Sequence, residues 1–379
     1  MAHLPVLPAE ARRILDLARN DRAAARAALA ELSADDQAKL LLETPIARRA
    51  ALLDLVDRPE EVVPRLPPAD LCLMARSIGL EEAGWLLTCA TDEQIQASVD
   101  LDAWDGFVPD RRRFGQWLAA FADAGEETML RATRVIDFEV LVLQLRERAF
   151  VVLKTNEDGW EPPVGGQTID GVFYFVPRAP GDDLADILVL VETLFDNEYW
   201  TYFRLAQGAI WELDPESEEW AYRWRRGRMQ DLGFPDPDDA KRVYAFVRDE
   251  DLADLPARDA PPAPVEDDEP DAVLPMTMPS LPTEADAEHA IFRAMAALPE
   301  ALRNRTRHEF LTLANRVAIA DGLPLGEPET LERSVTRAAE RASRGLEHLM
   351  DAHGLSGPDV LRRVSLERLF RVGHRLSLR

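Results

Sequence analysis

From Ala9 to about Leu32, apolar positions recur at helical spacing in a stretch rich in Ala, Arg and Leu, which predicts a helix pair. Short helices follow, each behind a polar or proline start. Ser33 precedes Ala34-Asp35-Asp36-Gln37 and then Ala38, Leu40, Leu41 and Leu42. Leu66-Pro67-Pro68-Ala69-Asp70 precedes Leu71, Leu73 and Met74, and Thr91-Asp92-Glu93-Gln94 precedes Ile95 and Val99. A hydroxyl at such a start satisfies orphan amides, and acids in the first turn meet the positive end of the helix dipole. Starts recurring every roughly 25–35 residues predict a helical repeat superhelix, in which each short pair shares its core with the next. An irregular helical bundle with good caps is the alternative.

The helical period continues from Arg111 to Arg148, with Trp104, Phe114, Trp117 and Phe121 as aromatic core and a dense apolar helix through Ile136, Val140, Leu141, Leu143 and Leu145. The pattern then changes. Phe150-Val-Val-Leu and Val172-Phe-Tyr-Phe-Val are β-type runs around a loop holding Gly159, Pro162, Pro163, Gly165 and Gly166, which predicts a short strand pair. Helices resume at Asp182 and run to about Val247. From Asp249 to Pro282 the chain is mostly Asp, Glu, Pro and Ala, the composition of an extended linker. Four helices are predicted beyond it, at Ala285–Ala297, Ala301–Ala320, Pro328–Gly345 and Asp359–Leu378. The fold class is thus mainly α, in four parts: a helical repeat domain (1–149), a mainly helical middle domain with short strands (150–248), an acidic Pro-rich linker (249–283) and a C-terminal helical domain (284–379).

Composition narrows what this architecture can do. The apolar share of 46% supports packed cores. No apolar run approaches the roughly 20 residues that span a bilayer, and the start of the chain lacks a basic and apolar leader, so a cytoplasmic location is expected. Cys72 and Cys89 are too few for a disulfide framework or a cysteine zinc site. A net charge of −25 repels phosphate backbones and anionic membranes, which argues against nucleic-acid and membrane partners. The deficit lies upstream of Asp286, so a protein partner with a basic face suits the front of the chain. Lysine occurs only at 39, 154 and 241; arginine carries the rest of the positive charge.

The densest chemistry lies between Glu218 and Phe234. There Glu219, Tyr222, Arg223, Arg226 and Arg228 form a candidate binding surface, with Glu219–Arg223 and Tyr222–Arg226 at i,i+4 spacing and Trp220 and Trp224 between them. A helix bridging two domains through internal salt bridges, with the aromatics in the interface, is the plainer reading. Two acidic sets, Asp100, Asp102 and Asp105, and Asp182, Asp183 and Asp186, offer oxygen ligands to a hard cation, but neither has calcium-loop spacing and helix starts explain Asp182 and Asp183 as well. The histidines at 289, 308, 348, 353 and 374 are not paired i,i+4, so no zinc site is expected. No nucleophile elbow, phosphate loop or dinucleotide fingerprint is present, and no metal or cofactor is assigned.

Two resemblances join these readings. Leu32-Ser-Ala-Asp-Asp-Gln-Ala-Lys-Leu-Leu and Leu66-Pro-Pro-Ala-Asp-Leu resemble the repeats of the intracellular N domain of MgtE-type magnesium transporters, over about residues 25–105. That likeness implies a superhelix of short helices; no transport function comes with it. Thr91-Asp-Glu-Gln-Ile through Leu101-Asp-Ala-Trp-Asp-Gly, Thr168-Ile-Asp-Gly, Glu218 through Pro235, and Ala314-Asn-Arg-Val-Ala-Ile-Ala-Asp-Gly resemble, across the whole chain, an uncharacterised bacterial family. The leading expectation is a non-enzymatic scaffold or adaptor. A Mg2+-responsive regulator is the second, and an enzyme with its site between the middle and C-terminal domains the third.

Overall fold

The computed structural model describes residues 8–179, 184–255 and 288–379. These residues form twenty α-helices and two short antiparallel strand pairs, a mainly α fold. The chain divides into two compact units, Arg58–Arg228 and Met1–Asp57 with Met229–Arg379.

The N-terminal helices are α1 (Ala9–Ala18), α2 (Arg22–Ala30), α3 (Ala34–Glu43) and α4 (Ile46–Leu53). Each packs on a near neighbour, α1 on α2 and α4, and α3 on α4. Asp21 caps α2 and Ser33 caps α3 through side-chain oxygens. Arg49 is wholly buried and donates to the carbonyls of Thr44 (2.7 Å) and Leu42 (2.8 Å). A guanidinium there meets carbonyls that the end of α3 leaves unpaired.

The unit Arg58–Arg228 holds α5 (Pro59–Val62), α6 (Pro68–Ile78), α7 (Gly84–Cys89) and α8 (Asp92–Asp102). A small hairpin, β1 (Trp104–Asp105) and β2 (Val108–Pro109), leads to α9 (Arg111–Asp123), α10 (Glu126–Val135) and α11 (Phe138–Arg148). The longer strands β3 (Ala149–Leu153) and β4 (Phe173–Pro177) precede α12 (Ala185–Asn197), α13 (Tyr199–Trp211) and α14 (Asp214–Asp231). The predicted strand pair is antiparallel, Ala149 facing Pro177 and Leu153 facing Phe173. Phe173 and Phe175 are buried, and Phe173 meets Tyr202 and Phe203 of α13 edge-on. The hairpin β1–β2 escaped prediction because two-residue strands carry no period; Gly106, at φ 59, makes its turn.

Thr91 opens α8 with a full capping box. Its partner Gln94 does more than cap: its Nε2 donates to the carbonyls of Val63 (2.8 Å) and Leu66 (2.7 Å), all within the core. Gln94→Leu removes these bonds and leaves the Leu66 carbonyl without its donor, while the Val63 carbonyl keeps the Leu66 amide (3.0 Å). The expected loss is about 2 kcal/mol or more, read as a lower urea midpoint at unchanged m-value.

The remaining helices are α15 (Pro237–Lys241), α16 (Ala290–Ala296), α17 (Glu300–Ala320), α18 (Pro328–His353), α19 (Gly357–Arg363) and α20 (Leu366–Ser377). The helix predicted over Pro328–Gly345 runs on to His353 and ends at Gly354 in the left-handed conformation (φ 64). The single helix predicted over Asp359–Leu378 is two. Val364 is extended, and Ser365 caps a new start by accepting from the Arg368 amide. The crossing of α18 and α20 is glycine on glycine. A Cβ on Gly373 would stand 1.8 Å from the Arg341 carbonyl oxygen, and one on Gly345 2.0 Å from that of Leu369.

Of the span read as a linker, residues 249–255 are described, and 256–283 lie outside the described residues. Leu252 is buried with Val247 against Val372 and Leu376 of α20. Asp249 pairs with Arg375 (3.1 Å) and Arg379 (2.6 Å), and Arg368 donates to the Asp251 carbonyl. The acids here complement the basic end of α20, and one leucine among them supplies the anchor.

Candidate functional site

The stretch Glu218–Asp231 is helical, as its i,i+4 pattern requires, and belongs to α14. The five residues singled out there do not all face the same way. Arg228 points into the fold of its own unit. Its Nε and Nη2 grip Asp100 on α8 (2.6 and 2.8 Å), while Nη1 and Nη2 hold Asp137, the residue before α11 (2.9 and 2.6 Å). Burial works against the charge of Arg228, but the two carboxylates outweigh it and raise its pKa. Asp100 is 3% exposed; burial pushes its carboxyl above the usual range despite the bonds from Arg228. Arg225 donates to the Asp100 and Gly106 carbonyls and lies 4.7 Å from the Trp104 ring. Desolvation brings its pKa down to about 10, which leaves it charged at neutral pH.

Tyr222 is half-buried, edge-on to Phe107 (5.2 Å). Glu219, Arg223 and Arg226 are exposed. Arg223 lies 5.3 Å over the Trp220 ring, and Trp220 stacks with Trp224 at 6.4 Å and 26°. Those two rings are 48% and 54% exposed. The outer face of α14 is therefore aromatic and arginine-rich, and its inner edge is an ion-pair clasp.

The acidic sets resolve differently. Asp102 is fully buried, accepts from Trp117 Nε1 (2.9 Å) and pairs with Arg76 (3.4 Å) and Arg113 (3.5 Å). Asp105 is exposed on β1, apart from these contacts. Asp186 pairs with Arg148 at 3.1 Å. Asp182 and Asp183 lie outside the described residues. The oxygens of Asp100 and Asp102 thus face guanidinium and indole N–H groups, which meet the same lone pairs a cation would take. Among the described residues no group of three or more His, Cys, Asp or Glu is placed to hold a metal ion. His374 sits against Tyr244 (4.7 Å) and Phe370, its pKa lowered by burial and by Arg341. Burial and a 2.7 Å bond to Asp321 push the Tyr244 phenol up to about 12.

Two open recesses lie within single units. One, about 620 Å³, has Phe234 and Pro235 at its edge and Glu367 held between Arg316 and Arg371. The other, about 680 Å³, runs along α9, α11 and α12 over Gly115 and Ala119. Arg111 on its rim pairs with Glu147 (2.9 Å) and also reaches Asp214 and Glu218 of α14. In both recesses the lining charges are largely matched to one another.

The residues that composition and spacing did not single out are on α13. Trp200 is 74% exposed and Trp211 72% exposed. Eleven residues apart, they share one helix face, since 11 residues close about three turns. Arg204, exposed between them, lies 4.7 Å over the Phe138 ring. The signal was present as Trp200-x3-Arg204-x6-Trp211, but a stripe with tryptophan at both ends reads as core until its exposure is known.

The chain matches, over residues 26–379, the model of a family of unknown function, DUF6178. No curated protein and no solved structure matches it.

Proposed function

The chain belongs to that family, whose function is unknown, and from its geometry we propose that it is a non-enzymatic binding protein that docks a protein partner on α13. The observation that carries this is the pair Trp200 and Trp211, 74% and 72% exposed at opposite ends of one helix face. Apolar rings of that size cost free energy in water, roughly 25 cal/mol for each Å² they expose. Tryptophan and arginine are also the side chains that most often dominate the energy of protein interfaces. Between the two rings stand Arg204 and Gln207, both exposed, which would orient a partner by hydrogen bonds. With a chain charge of −25, the suited partner is apolar at its centre and basic around it.

A photo-crosslinking amino acid placed at position 200 or 211 in the native host tests the reading. Both positions should trap the same protein, and an exposed control position on α1 should not. With that protein purified, Trp211→Ala should weaken binding about 30-fold, the effect of a hot spot worth about 2 kcal/mol. Adducts no different from the control position would refute it.

A further inference from the structure

We propose that the outer face of α14 docks on α14 of a second copy of this chain, antiparallel, about a two-fold axis near Tyr222. Charge is segregated along this helix. On its exposed face Glu216 and Glu219 occupy the earlier turns, and Arg223 and Arg226 the later ones. An antiparallel copy is a partner whose charge order is complementary by construction, and its opposed helix dipoles add to the match.

Two pairs of exposed residues fit this symmetry. At about 100° per residue, Trp220 and Trp224 lie on one edge of the exposed arc and Glu219 and Arg226 on the other. In an antiparallel two-fold pair, each edge meets the same edge of the copy. Trp220 then faces Trp224 of the copy, and Glu219 faces Arg226 of the copy. Both contacts occur twice. Gly227 lies on the same arc with nothing within 4 Å of a Cβ built on it, so the second backbone can come close there. Arg223 stays over its own Trp220 ring. One helix pair is smaller than the standard interface of roughly 1,600 Å², so weak association, on the order of 10 µM, is the expected strength. The contact leaves α13 to the partner proposed above.

The full-length chain tests this in sedimentation velocity, from about 1 to 200 µM in about 0.15 M salt, where the Debye length is about 8 Å and the mutual repulsion of two −25 chains is screened. The wild type should pass from monomer to dimer across that range. Glu219→Arg and Arg226→Glu each place like charges at both symmetric contacts, and each should weaken the dimer about tenfold. Mixed in equal amounts, the two variants restore both ion pairs, so the mixture should associate as tightly as wild type. Trp220→Ala with Trp224→Ala should stay monomeric. These side chains are exposed, and unchanged thermal melting of each variant checks that the fold is kept. A wild type that remains monomeric at 200 µM, or a mixture no tighter than its weaker component, overturns the proposal. Loss of the α13 crosslinks with the dimer intact would sink the partner reading alone.

Discussion

Gly373→Ala should unfold the C-terminal helices or cost them about 3 kcal/mol or more, at the upper end of what overpacking does to a core. The methyl group would stand 1.8 Å from the Arg341 carbonyl oxygen, 2.8 Å from its carbon and 2.9 Å from the Gly345 nitrogen. All three are backbone atoms and cannot rotate aside. The helices must separate, and the layer around them is fully buried: Ala338, Ala342, Leu346 and Leu349 on α18, Leu369 and Phe370 on α20. Gly345→Ala meets the mirror contact and should behave alike. Gly208→Ala is the control. Its methyl would approach only side-chain atoms, Val142 Cγ2 at 3.0 Å and Glu212 Oε1 at 3.1 Å, which can give way. Chemical denaturation followed by circular dichroism compares the three; equal losses at Gly208 and Gly373 would contradict the argument.

Arg228→Met should destabilise the unit Arg58–Arg228 by about 3–5 kcal/mol at neutral pH, the range for breaking a buried ion pair from one side. The loss is not mainly that of a favourable contact. It is the cost of leaving Asp100, 3% exposed, charged without its cation. The pH dependence follows from the sign of the shift. Asp100 already has a raised pKa in the fold, through burial. A raised carboxyl contributes stability that is fully present below the pKa of the unfolded chain and is lost as pH rises through the folded-state value. Removing Arg228 takes away the interactions that lower it, so the folded value climbs further. The deficit of the variant should therefore be largest at neutral pH and shrink as pH falls through the acid range. Urea midpoints for both proteins from pH 7 to pH 5 measure this. A deficit that stays constant would mean that lost packing of the arginine stem, and not the carboxylate, sets the cost.

What the sequence made legible was local. Ser33 and Thr91 announce their helices because a cap needs only its own hydroxyl and an amide three residues on. The strands at 149–153 and 173–177 stand out because β-branched and aromatic residues run together there between glycines and prolines. Ser365 is as good a cap as Ser33, yet the helical period on either side of it hid the break at Val364. The partners of α14 were not legible. Arg228 and Asp100 are 128 residues apart in the chain, and nothing near Arg228 distinguishes it from the exposed Arg226. The same holds for the acids: Asp100 and Asp105 look alike in sequence, but one is buried in an arginine clasp and the other faces water. Gly345 reads as the end of a helix and nothing marks Gly373, and only the crossing of α18 and α20 gives the two glycines a purpose.

The uneven burial of the indoles also gives the molecule an optical readout. Trp117 is wholly enclosed and Trp104 nearly so, whereas Trp200, Trp211, Trp220 and Trp224 stand about half or more in solvent. Intrinsic fluorescence then has a part shielded from an aqueous quencher such as iodide and a part open to it, to which Trp85 (40% exposed) and the part-buried Trp160 add a constant background. Anything that settles on α13 or α14 removes indoles from the open population and leaves Trp117 unchanged, so a quenching curve counts occupied faces without a label.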